Sequence, residues 1–567
     1  MGIFIHLAIS SSVTQKEWEK VYQETLLLVK AFPFAERRKV LIRGIPTMCA
    51  VPTEERERRW GWNNEKTERG WFADCDYVTL IGAEEYFLPR VLDTDDIIAT
   101  GGTEDADKAD VSDAMLVEIP TYLEKYDWKD PRFNCRYHLW GAKTQGEPYH
   151  MYLLSVACLI ESRLGNKAFV YGDITKGQCE KAVRMANEHL TEKIHIPDRC
   201  DPDRLFERIE TGRAPVPLTD TEKMKLFINL YLGKQDAEFG RVIRTRFSEK
   251  ASEEYWRDRF GHYRVPAIGF RDALRDYLLW GFDFEKMCSY IRFQDDDGST
   301  YYEEFIKMVM DTKMHHRCKD CSDLVAINPD EERPYGISRL FAQFVFAGAM
   351  NKKIDRYIPV EEIRSALSRA IGSYCPVNEL IDEYLEKEQT HEKQDLSGNI
   401  PDGDLSRAVE QDPSQALSEV LEARKADYED RCEKYDIIDL KQLPYYEAGD
   451  KIDPVVMKVV GKSFSFYRGA LAEDTYLELM RKESQERCEW LSSTNQNILL
   501  KDKDWEKIYD DIIEHPEAFA RYYPMVRVRI TSEGQHCMIR AFVANDELYS
   551  YAFELEKQYA EKPGCRD

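Results

Sequence analysis

A glycine-flanked loop, YGDITKGQ at residues 171–178, lies between the short apolar run KAFV and a helically spaced stretch, CEKAVRMANEHL. A loop joining a strand to a helix is where phosphate-binding proteins place their anion cradle. Gly172 and Gly177 have the separation found in Gly-x-x-x-x-Gly-Lys-Ser/Thr, but Gln178 and Cys179 stand where the lysine and the hydroxyl belong. The lysine reaches the outer phosphates and the hydroxyl holds magnesium, so losing both removes the chemistry. A helix start alone gives an anion up to about 2 kcal/mol, whereas micromolar binding needs about 8 kcal/mol. The expectation is therefore structural. Gly172 ends a strand, Asp173 or Thr175 caps a helix, and Gly177 eases packing. Asp173 and Lys176 stay as candidate contacts for a phosphate or acidic ligand.

Three further stretches carry residue types that could do chemistry. MHHRCKDCSD, residues 314–323, places His315, Cys318 and Cys321 as His-x-x-Cys-x-x-Cys. Tetrahedral zinc needs four soft ligands, usually from two half-sites. No second Cys-x-x-Cys exists, and Cys288 or Cys375 would have to complete the set through the fold. FQDDDGSTYYEE, residues 293–304, has part of a calcium-loop spacing, with Asp295, Asp297, Gly298 and Glu304. Phe293 occupies the first ligand position and cannot coordinate, so a solvated acidic turn is expected. Residues 122–150 concentrate aromatic rings with Arg136, His138, Trp140 and His150. Such a mixture suits a ligand cleft or an interface anchor, and equally a loop packed on the core by its rings.

The chain has no Gly-x-Ser-x-Gly, His-Glu-x-x-His or Gly-x-Gly-x-x-Gly motif. A catalytic constellation assembled across the fold stays open, because such sites are defined by geometry. Composition narrows the partners. The formal charge is −25 over 567 residues, which repels a polyanion and disfavours nucleic acid. The longest apolar run, MYLLSVACLI, is far short of the roughly 20 residues that span a bilayer. The N-terminal stretch has no secretory pattern, and the 14 cysteines are scattered singly apart from one close pair. A reducing, cytoplasmic location is the expectation.

The elements that must position these residues read as α+β and multidomain. Residues 1–120 read as a small mixed α/β domain, with strands at IFIHLAI, KVLIRGI and DYVTLIG and a helix opened by Thr14 and Glu17 in capping-box spacing. GGTEDADKAD, residues 101–110, is a polar break. Residues 121–385 read as mainly helical; Thr219 and Glu222 repeat the capping box before an apolar face of Met224, Phe227, Ile228 and Tyr231. Residues 386–416 lose their large apolar side chains and read as a polar linker. Residues 417–567 read as helices followed by an antiparallel meander. Val526, Val528 and Ile530, then Cys537 to Val543, then Tyr549 to Leu555 alternate, with SEGQ and ANDE as turns.

The functional expectation is a soluble protein-interaction or regulatory component of adaptor or immunity type, leaning away from catalysis, with no cofactor beyond the zinc considered above. Its alternative is an enzyme or small-ligand or phosphate sensor with a site formed by residues 122–150 and 171–179.

Overall fold

A computed structural model describes residues 3–60, 66–92, 113–133, 136–265, 267–295, 297–312, 314–315, 356–395, 440, 443, 446, 449–466, 474–494, 498–527, 529–530 and 532–560. The strands are β1 (Ile5–Ser10), β2 (Phe34–Ile42), β3 (Ile45–Pro52), β4 (Arg56–Trp60), β5 (Lys66–Asp76), β6 (Gly82–Pro89), β7 (Arg136–Trp140), β8 (Ala168–Gly172) and β9 (Leu500–Lys501). The first helices are α1 (Gln15–Ala31), α2 (Ala114–Val117), α3 (Ile119–Tyr122) and α4 (Tyr149–Leu164). A helical run follows: α5 (Lys176–His189), α6 (Pro202–Thr211), α7 (Asp220–Leu230), α8 (Ala237–Arg246), α9 (Glu249–Gly261), α10 (Ile268–Leu279), α11 (Phe284–Cys288), α12 (Tyr302–Asp311), α13 (Val360–Ile371) and α14 (Val377–Asp395). The C-terminal helices are α15 (Pro454–Phe466), α16 (Asp474–Met480), α17 (Ser484–Thr494), α18 (Asp502–Glu514), α19 (Ala518–Arg527), α20 (Glu533–Ala544) and α21 (Asp546–Ala560). The architecture is α+β, with a mixed N-terminal region and a helical middle.

The chain divides into two compact units, each assembled from separate stretches. Unit 1 comprises Met1–Val21, Leu92–Gly141 and Leu154–Glu422; unit 2 comprises Tyr22–Val91, Ala142–Leu153 and Ala423–Asp567. Unit 1 holds an antiparallel sheet of order β7-β1-β8. Its core gathers Ala8, Phe169 and Tyr171 with helix residues such as Leu205, Phe227, Trp256 and Trp280. Unit 2 holds a sheet of order β4-β5-β2-β3-β9, with β6 paired to β5 and β9 parallel to β3. Trp505, Tyr509 and Phe542 pack with Ile42, Ile45 and Val51 in its core.

The C-terminal meander is corrected: Val526 lies in α19, Cys537 to Val543 in α20 and Tyr549 to Leu555 in α21, while Val528 lies outside the described residues. In α20 every residue from Cys537 to Val543 is buried, Arg540 among them, so burial follows no helical stripe and Cys537, Ile539, Ala541 and Val543 read as alternation. The apparent turns are helix caps. Ser532 Oγ accepts from Gln535 N at 3.2 Å, and Asn545 Oδ1 accepts from Leu548 N at 2.9 Å. Ser and Asn favour turns and N-caps for one reason, a short side chain that accepts from nearby N–H groups. DYVTLIG is likewise a connection rather than a strand: Asp76 Oδ1 accepts from Val78 N at 2.6 Å and Thr79 N at 2.9 Å, and Leu80 has φ +61°. KVLIRGI spans the β2–β3 hairpin, with Arg43 and Gly44 at φ 51° and 79°.

Helix α14 continues to Asp395 and takes in the first part of the stretch read as a linker; 396–416 lie outside the described residues, as do 101–110. The capping boxes are present where the spacing predicts them. Thr14 N donates to Glu17 Oε2 at 2.9 Å and Thr219 N donates to Glu222 Oε2 at 2.9 Å. Among the described residues no helix is long and apolar enough to cross a membrane.

Candidate functional site on the three-stranded sheet

The register of β7-β1-β8 brings two of the sequence-identified segments to one sheet. Ala8 of β1 pairs with His138 on one side and Phe169 on the other, and His6 pairs with Tyr171. Side chains two residues apart on a strand share a face, so Phe4, His6 and Ala8 line up with Phe169 and Tyr171. Their rings stack in a row: Phe4 on His6 at 5.6 Å, His6 on Tyr171 at 4.7 Å, and Tyr171 on Phe169 at 5.0 Å between centroids. The row runs from the core at Phe169 to the half-buried His6 and Phe4.

His138 joins this row to a buried acid. Its Nδ1 lies 3.4 Å from the Tyr171 hydroxyl, and its Nε2 lies 4.0 Å from Glu118 Oε1. The imidazole is 48% exposed and the Glu118 side chain 1% exposed. Glu118 sits where α2 meets α3, placed there by an apolar stretch whose residues Ala114 to Val117 are all buried. A buried carboxylate, a solvent-facing imidazole and a phenol thus follow one another in space. At 4.0 Å the Glu118–His138 separation is beyond hydrogen-bond length, while the Tyr171 hydroxyl is within it. His6 is held toward its neutral form by burial, with Asp173 pulling the other way.

The loop after β8 serves this arrangement mechanically. Gly172 has φ +110°, and a Cβ there would come within 2.6 Å of the Phe4 carbonyl oxygen. Asp173 Oδ2 accepts from Phe4 N at 2.9 Å, which ties the loop to β1. Thr175, not Asp173, caps α5, with Gln178 completing a capping box. Lys176 forms a loose pair with Glu180 at 3.8 Å.

Beneath β8 lies a buried charge network. The Arg208 guanidinium donates to Asp113 Oδ2 at 2.9 Å, to Asp198 Oδ2 at 3.2 Å and to the Ala168 carbonyl at 2.8 Å, and lies 3.6 Å from Glu161 Oε1. Glu161 Oε2 in turn accepts from Val170 N at 2.7 Å. Burial pushes the Glu161 carboxyl up to about 7, against the pull of Arg208. Arg199 donates to the Val170 carbonyl at 3.3 Å and to the Leu230 carbonyl at 2.7 Å. β8 is therefore held by its pairing with β1 and by these bonds at Ala168 and Val170, which positions Tyr171.

The other sequence candidates fall as follows. Arg136 opens β7; the description of its side chain lies outside the described residues. Trp140 is buried at 3% exposure. His150 belongs to unit 2, is fully buried, and shares a 2.7 Å hydrogen bond between Nδ1 and Thr144 Oγ1. Burial lowers its pKa to about 3, so it is a neutral core histidine. Cys318 and Cys321 lie outside the described residues, and His315 is half-buried beside the Tyr384 ring at 6.5 Å. Among the described residues no group of three or more His, Cys, Asp or Glu is arranged to hold a metal. In the acidic turn, Asp295 accepts from Tyr301 Oη at 2.6 Å and pairs with Arg264 at 3.2 Å, so its carboxylate is committed to protein partners.

Sequence reasoning missed His6, Glu118 and Tyr171. The available signals were a histidine in the middle of IFIHLAI and a single acid inside the apolar stretch AMLVEI. Neither has a spacing that names a partner, because the contacts are made across strands. Comparison of the chain with protein-family models, curated proteins and solved structures finds no match to any of them.

Proposed function

We propose that the chain is a protein-interaction or regulatory component that recognises its partner at the outer end of the β7-β1-β8 sheet. The observation that carries this reading is the stacked row from Phe169 through Tyr171 to the half-buried His6 and Phe4, with exposed His138 beside it. Aromatic and imidazole faces held rigidly by a sheet lose little entropy on binding and supply contact area efficiently. Among the described thiols, five are poor candidates for a nucleophile. Burial pushes Cys49, Cys288 and Cys488 up to about 12 and raises Cys75 and Cys375, so these thiols resist forming the thiolate.

The test is capture of partners from the native host with the full chain, followed by hydrogen exchange on the purified complex. Protection centred on β1, β7 and β8, and at least tenfold weaker binding by a His6→Ala/His138→Ala variant that melts like the parent, is the expected result. A partner that protects neither strand and binds the variant equally well sinks the reading.

A second reading, a small-ligand site, is favoured by the Glu118–His138–Tyr171 line itself. A carboxylate behind an exposed imidazole is suited to grip a ligand hydroxyl or acid. Ligand screening by thermal shift separates the two readings, since only a small-ligand site gives stabilisation that vanishes in His138→Ala.

A further inference from the structure

We draw no further inference here: the strongest candidate, the side-chain cluster of Cys158, Cys179 and Cys200 where α4, α5 and the turn Asp198–Cys200 meet in unit 1, carries nothing because all three thiols are fully buried and nothing among the described residues brings an oxidant or a ligand to them.

Discussion

Gln178 and Thr175 hold the start of α5 by reciprocal hydrogen bonds: Gln178 N donates to Thr175 Oγ1 at 3.2 Å, and Thr175 N donates to Gln178 Oε1 at 2.9 Å. The residue that replaces a phosphate-binding lysine is therefore a structural fastener, and it is 3% exposed. Gln178→Lys restores the lysine of the motif but opens the cap and forces an ammonium into a buried position. We expect a loss of about 1–3 kcal/mol in denaturant unfolding, and no heat on ATP titration. Measurable ATP binding by this variant would contradict the structural role assigned to the loop.

Arg208 is the hub of the network under β8, at 5% side-chain exposure, with Asp113 at 0% and Glu161 at 3%. Arg208→Met removes the cation and strands buried carboxylates and the Ala168 carbonyl. Breaking a buried pair from one side costs about 3–5 kcal/mol. Chemical denaturation should show a loss of that size, whereas Lys250→Ala, which removes only the exposed 3.8 Å pair of Lys250 with Glu254, should change stability by less than about 0.5 kcal/mol.

Glu161 gives unit 1 a pH dependence of definite sign. Burial raises its carboxyl from 4.5 to about 7 in the folded protein, so the folded state holds more protons between these values. Stability from this group is complete below the lower value and is lost as pH rises through the upper one. Glu161→Gln should flatten the fall in melting temperature between pH 5 and pH 8 relative to the parent. An unchanged slope would mean that the carboxyl is ionised throughout.

His150 pulls the other way. Burial lowers its pKa from 6.5 to about 3, so the unfolded chain binds the extra proton in between. Its contribution is complete above 6.5 and drains away as pH falls toward 3. His150→Gln should reduce acid lability over that interval while costing about 1–3 kcal/mol at neutral pH through the disturbed Thr144 contact. Scans at pH 4 and pH 7 read both effects.

Much of the local structure was legible from residue types. Thr14 with Glu17 and Thr219 with Glu222 mark helix starts because a capping box is a contact between residues three apart. The helical faces of α7, α9 and α18 follow from apolar spacing, which is again local. The same logic failed at the C-terminus. In α20 burial is nearly all-round, so periodicity carries no information, and the Ser532 and Asn545 caps resemble turns.

By itself, then, the sequence determined the α+β character, the helix starts at Thr14, Thr175 and Thr219, the glutamine standing at the motif's lysine position and the strongly acidic charge, since each depends on composition or on neighbours within one turn. Only the tertiary structure decided that β7 and β8 flank β1, that Glu118, His138 and Tyr171 meet, and that His150 is interior. Those relationships join residues up to 167 positions apart, from Ile5 to Gly172 across the β1–β8 pairing. Strand register and burial are set by the packing of the whole unit, and no spacing along the chain encodes them.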